Sequence, residues 1–205
     1  MRCPRHLASW PLLGLTLLAS CERTVPDAVP ASPPPVAGVI DSAFPIAEQL
    51  RRFRTTITTR PESLQHASAT VDALVRRWVT AVAGRDTATT RTLLIDRAEF
   101  AELVYEQLRI SRPPYEMAPA LLWFQITESS EEGIRRAFDR LGGRRVTVRS
   151  LRCPTPVDTQ GVLRMHDGCL LRLRVDGDTL PEERYFGNIV ERDGRLKFLG
   201  FSNRL

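Results

Sequence analysis

Apolar positions recur at helical spacing through the first half of the folded part of the chain and alternate through the second half. Ile46, Leu50, Phe53 and Ile57 follow a helical period, and Pro45 suits its first turn. Val71, Leu74, Val75, Trp78 and Val82 predict a clearer amphipathic helix that stops at Gly84. Asp86 caps a short helix running to about Leu94. Asp96 and Glu99 stand at capping-box spacing ahead of Phe100, Leu103, Val104 and Leu108, and Pro113-Pro114 breaks that helix. Ala118–Ile126 predicts a buried helix. Ser129 and Glu132 repeat the capping-box spacing and predict a further helix, carrying Ile134, Ala137, Phe138 and Leu141 up to Gly142-Gly143.

Beyond the glycine pair the period changes to two. Val146, Val148 and Ser150 alternate with Thr147, Arg149 and Leu151, and Leu171, Leu173 and Val175 alternate with Arg172 and Arg174. Arg184–Glu191 and Arg195–Ser202 flank Asp193-Gly194, a strong hairpin signal. Helices followed by a strand meander imply an α+β class, with N-terminal helices packed on one face of an antiparallel sheet. Two stretches, Ala73–Asp86 (ALVRRWVTAVAGRD) and Tyr185–Phe198 (YFGNIVERDGRLKF), resemble the opening helix and closing strands of the NTF2-like (SnoaL-like, cystatin-like cone) superfamily. The resemblance covers about Ser68–Asn203. It implies a curved sheet wrapped around helices, with a pocket between them. That superfamily holds isomerases, cyclases, dehydratases and non-catalytic binding modules, so the fold leaves function open.

The first forty residues show no periodicity of this kind. Arg2 and Arg5 precede a mostly apolar Leu7–Ala19, which ends in small residues, as in a secretory signal. The run is interrupted by Pro11 and Gly14 and is shorter than the ~20 residues that span a bilayer. Leu18-Ala19-Ser20-Cys21 resembles the lipobox of bacterial lipoproteins. That resemblance implies cleavage after Ser20 and acylation of Cys21, which would anchor the chain to a membrane; two or more acyl chains hold a protein stably. Glu22–Ile40 contains five prolines and no apolar period, the composition of a semi-rigid spacer. The expected organisation is a signal peptide over residues 1–20, a lipidated cysteine and linker over 21–40, and one domain over 41–205 with its core at about 68–203. Glu22 stands where enterobacterial lipoproteins kept at the inner membrane carry Asp, so the resemblance favours the outer membrane, on its periplasmic side.

With Cys3 in the signal and Cys21 lipidated, Cys153 and Cys169 are left as a pair in an oxidising compartment. If the strands around Val148 and Leu171 pair antiparallel with Cys153 opposite Cys169, then Leu151 faces Leu171 and Arg149 faces Leu173. The alternatives are two buried thiols or a metal site. For a metal the surroundings are poor, with no CxxC and only His166 nearby.

The 205 residues are 42% hydrophobic and 26% charged, which excludes a wholly disordered chain and a polytopic membrane protein. The formal charge of +5 comes almost entirely from arginine, since Lys197 is the only lysine against 28 arginines. Loss of Arg2 and Arg5 leaves 27 basic against 24 acidic residues, a charge of +3. Arg135, Arg136, Arg140, Arg144, Arg145, Arg149 and Arg152 form a dense run. It is read either as an anion-binding surface or as ordinary surface charge interspersed with Glu131, Glu132 and Asp139. Nucleic acid, the default partner of such a run inside a cell, does not fit an exported chain.

No HExxH, GxSxG, SxxK or phosphate-binding glycine loop is present, and no motif calls for a metal or another cofactor. His166-Asp167-Gly168 is read as a turn, Asp72 as solvent-facing, and Glu182-Glu183 after Pro181 as a solvated loop. Arg149, Arg172, Arg174 and Tyr185 are the candidate ligand-binding side chains. Tyr105, Tyr115, Trp123 and Phe186 are further aromatics for a pocket or a core. These readings favour a non-catalytic envelope lipoprotein that binds a small molecule or a protein. An NTF2-like enzyme of isomerase or cyclase type and an assembly component of an envelope complex are the rivals.

Overall fold

Thr70 and Asp86 explain where two of the helices begin. Each places a side-chain oxygen on a backbone N–H of the first turn, opening α2 (Val71–Ala83) and α3 (Thr87–Thr92). The computed structural model describes residues 44–203, so the signal, the lipobox with Cys21 and the linker lie outside the described residues. α1 (Ile46–Arg54) buries Leu50 and Phe53. α4 (Arg97–Glu99) opens on the Asp96–Glu99 capping box, with both reciprocal hydrogen bonds formed. The chain then continues through a π-helical turn, Phe100–Val104, and two 3₁₀ turns, Tyr105–Gln107 and Arg109–Ser111. The expected helix is therefore regular only as far as Glu99, and its irregular turns stop at Ser111, before the proline pair.

α5 runs unbroken from Pro119 to Leu141. The two helices expected there are one. No Pro or Gly interrupts the backbone ahead of Ser129. Its hydroxyl donates back to the Ile126 carbonyl at 3.2 Å instead of capping a new start. The neighbouring Ser130 Oγ accepts from the Phe201 backbone N–H at 3.1 Å, tying the helix to the chain end.

The strands are β1 (Val146–Arg152), β2 (Asp158–Gln160), β3 (Leu163–His166), β4 (Leu170–Val175), β5 (Asp178–Glu183), β6 (Ile189–Arg192) and β7 (Arg195–Phe198). They form two antiparallel sheets, β1-β4-β5 and β2-β3-β6-β7, where one curved sheet was expected. The class is α+β. Asp193 and Gly194, both at positive φ, make the tight β6–β7 turn. Both hairpin strands are shorter than expected, because Tyr185, Phe186 and Phe201 turn into the core. Residues 178–183 are an edge strand, and not a loop. Pro181 is tolerated there because an edge position needs no inward N–H.

Leu151 faces Leu171 as expected, but Val148, and not Arg149, faces Leu173. A bulge at Arg149 absorbs one residue and shifts the register. Cys153 and Cys169 form a disulfide.

Two apolar clusters hold the fold. The first packs α2 and the C-terminal half of α5 on β1, β4 and the last hairpin. Its centre is Trp78, with Phe186, Phe198 and Phe201 at ring-centroid distances of 5.7, 6.4 and 6.1 Å. These rings fill the space between helices and sheet. The second joins α1, the π-helical run, the N-terminal half of α5, and β3 and β6 around Phe53, Phe100, Tyr105 and Met165. Among the described residues, no helix is long and apolar enough to cross a membrane.

Candidate functional site: two clefts and an arginine face

Beside the second cluster lies a cleft of about 340 Å³. Leu108, Ile110, Leu122, Ile126, Met165 and Leu199 give it an apolar lining, while Arg109, Tyr115, Gln160 and Asn188 supply its polar part. Its lining comes from the second 3₁₀ turn and its flanks, from α5, and from β3 through Met165. Arg109, Gln160 and Asn188 are held in place, Asn188 by accepting from the Arg184 guanidinium at 3.0 Å. Arg109 donates its backbone N–H to Gln160 Oε1 at 2.7 Å, and its guanidinium meets Asp158 at 3.0 Å. Gln160 also donates to Asp158, and that bond, with Arg109 adding to it, draws the carboxyl below its ordinary range. An apolar trough with a few fixed donors and acceptors suits a small amphipathic molecule.

A larger cleft of about 650 Å³ is lined by Arg60, His66, Arg91, Asp96 and Lys197, among others. Lys197 and Glu99 form a buried ion pair at its base, 2.7 Å apart, with side chains 3% and 0% exposed. Glu99 also accepts from the backbone N–H groups of Gln65 at 2.6 Å and Asp96 at 2.8 Å. One carboxylate thus joins the segment after α1, the start of α4 and strand β7. Arg91 on the wall is held by Glu131 at 3.0 Å.

Three of the four sequence-predicted ligand residues share one surface. On β4, Arg172 and Arg174 point to solvent while Leu171, Leu173 and Val175 are buried. On β1, the bulge leaves both Arg149 and Ser150 exposed. Tyr185 does not join them. It is fully buried in the first cluster, with the Arg140 guanidinium 5.5 Å from its ring centroid. Burial pushes its phenol above the ordinary range, and Arg140 opposes that shift. Of the other aromatics, Tyr115 stands exposed at the smaller cleft. Tyr105 is core and donates its hydroxyl to the Met117 carbonyl at 2.6 Å. Trp123 stacks near Phe100, and Phe186 packs on Trp78.

His166 closes β3 with Nε2 at 2.8 Å from Glu191 on β6, which cross-links two strands. Asp167 and Gly168 form the turn after it. His66 is exposed at the larger cleft. Among the described residues, no group of three or more His, Cys, Asp or Glu side chains is placed to hold a metal ion.

Neither cleft was found from the sequence. Their linings come from positions as distant as Leu108 and Leu199, or Arg60 and Lys197. The one local signal was that the chain's single lysine sits inside an apolar strand. In comparisons with known proteins, no family model matches the chain, and no curated protein or solved structure matches it either.

Proposed function

We propose that this chain is a membrane-anchored envelope lipoprotein whose folded part is an NTF2-like binding module for a small amphipathic molecule. The observation that carries the binding reading is the smaller cleft: about 340 Å³, apolar in its lining, with fixed polar groups in Arg109, Gln160 and Asn188. Helices ahead of antiparallel strands, closed by the β6–β7 hairpin, support the NTF2-like reading. Two features depart from that pattern. The strands divide into two sheets, and the space a cone would leave open is packed with aromatic rings. The ligand site accordingly lies beside the second cluster. The lipobox-like Leu18–Cys21 and the proline-rich spacer support the anchor, on the periplasmic side of the outer membrane.

Titration with a fluorescent long-chain fatty acid tests the binding reading. The probe is expected to bind at a single site, and Ile110→Trp, which fills the cleft edge, is expected to abolish binding with the circular dichroism unchanged. Binding unaffected by Ile110→Trp, or no binding at all, overturns the reading. Mass spectrometry of the membrane-extracted protein is expected to show an acylated Cys21 at the amino terminus. An unmodified Cys21 rejects the anchor.

A further inference from the structure

The outward face of the β1-β4-β5 sheet is strongly unbalanced in charge. Strand register places Thr147 opposite Arg174 and Ser150 opposite Arg172 on β1 and β4. On β5, Thr179 faces Arg174 and Glu182 faces Arg172. With Arg149 at the bulge and Arg152 at the strand end, four guanidiniums meet one carboxylate. That carboxylate is engaged, since Glu182 holds Arg152 at 2.7 Å. The guanidiniums of Arg149, Arg172 and Arg174 have no carboxylate within 4 Å among the described residues; Arg174 donates only to the Gly177 carbonyl, at 2.7 Å. Most other arginines differ. Arg51, Arg52, Arg54, Arg76, Arg91, Arg109, Arg135, Arg136, Arg140, Arg144, Arg164 and Arg184 each meet an acidic side chain. Seven other described arginines also meet no acidic side chain, but Arg149, Arg172 and Arg174 are brought together on one sheet face by the β1–β4 register.

The face is also held firmly from behind. Leu171, Leu173 and Val175 lie fully buried under it, and the Cys153–Cys169 disulfide closes the end of the β1–β4 pair. Neighbouring strands present side chains at intervals of roughly 5–7 Å, a fixed grid of planar donors. Guanidinium matches phosphate oxygens in pairs, and does so best when it need not first give up a carboxylate.

We infer that this face docks the domain on an anionic phospholipid surface, with Arg149, Arg172 and Arg174 as its phosphate contacts. The inference rests on the lipid-anchor reading, which puts the domain within a spacer's length of a bilayer. A tether supplies proximity, and a charged face then selects orientation. Each basic residue at an anionic surface contributes about fivefold in partition. The three together are worth roughly a hundredfold, screened by salt.

The test uses the chain from residue 21 with Cys21→Ala, so that no acyl chain contributes, sedimented with vesicles. The chain is expected to bind vesicles of equal parts phosphatidylglycerol and phosphatidylcholine and to leave pure phosphatidylcholine vesicles unbound. Binding is expected to fall steeply with added salt. The triple variant R149Q/R172Q/R174Q is expected to bind roughly a hundredfold more weakly with unchanged thermal unfolding, because all three side chains are exposed. Equal binding to both vesicle types, or a triple variant that binds like its parent, overturns the inference. Retention on a sulfated polysaccharide resin without vesicle binding overturns it as well, in favour of a glycan. Because this chain carries no lipid, its outcome is independent of whether natural Cys21 proves acylated.

Discussion

Lys197 stands out at the scale of single residues because the chain uses arginine 28 times and lysine once. Its site calls for a compact ammonium: Glu99 Oε2 lies 2.7 Å from Nζ in an enclosed position and also accepts from the Asp96 N–H, while Oε1 accepts from the Gln65 N–H. A forked guanidinium has five donors to satisfy there and more volume to place. Lys197→Met leaves a buried carboxylate without its counter-charge, so it is expected to lower unfolding free energy by about 3–5 kcal/mol. Adding Glu99→Gln removes the orphaned charge and is expected to recover part of that loss. Urea denaturation of the two single variants and the double variant measures the coupling. A Lys197→Met protein within about 1 kcal/mol of its parent would show that the pair is not a joint of the fold. The capping half of Glu99's role was legible, since Asp96 and Glu99 are three residues apart. The lysine half was not, because it joins positions 98 residues apart. Tyr185 failed as a site residue for a related reason. An aromatic next to a strand carries no sign of which way it faces until its neighbours on α5 are known.

Elements add a different kind of information. α2, α3 and the capping box of α4 were all readable, because an apolar stripe and a cap are local facts. α5 was divided at Ser129 because a capping box is a motif that a continuous helix also permits. What decides is whether the backbone ladder breaks, and here the serine side chains serve other ends, one bonding backwards and one reaching Phe201. The same contact explains Gly133 in mid-helix. A Cβ there would lie inside the contact distance of the Phe201 carbonyl, so α5 and the chain end approach as closely as glycine allows. Gly133→Ala gains about 1 kcal/mol of helix propensity but forces the two segments apart. The overpacking cost is expected to prevail, for a net loss of about 1–3 kcal/mol. Thermal unfolding is the measurement, and a variant at least as stable as the parent would show that the approach is slack. On β1 the bulge at Arg149 is an element-scale fact that alternation conceals. Alternation assigns every second residue outward, and a bulge changes that count by one.

For the whole molecule the question is how two sheets behave as one body. The chain passes from the first sheet to the second between β1 and β2, back again between β3 and β4, and across once more between β5 and β6. Cys153 lies in the first passage and Cys169 in the second, so the disulfide joins two of the three places where the chain crosses between the sheets. This pairing was legible, because Leu151 opposite Leu171 extends directly to the cysteines. The division into two sheets was not, since nothing in 158–166 marks a hairpin that leaves its neighbours to pair with β6. Closing the 16-residue separation between the cysteines contributes about 3 kcal/mol through the unfolded chain. Cys169 is also packed in the first cluster, at 1% exposure, and a smaller side chain there adds a packing loss. Cys153→Ala with Cys169→Ala is therefore expected to cost about 3–5 kcal/mol. The loss is not expected to be uniform. Amide exchange should rise most within 153–169, where β2 and β3 lose their covalent hold, and least in α2, whose burial against β1, β4 and β7 is untouched. A uniform rise would mean that the sheets unfold as one without the clamp. A loss below about 1 kcal/mol would mean that the β3–β6 ladder and the second apolar cluster already secure the junction, and that the bond serves chiefly to hold the end of the arginine-bearing face.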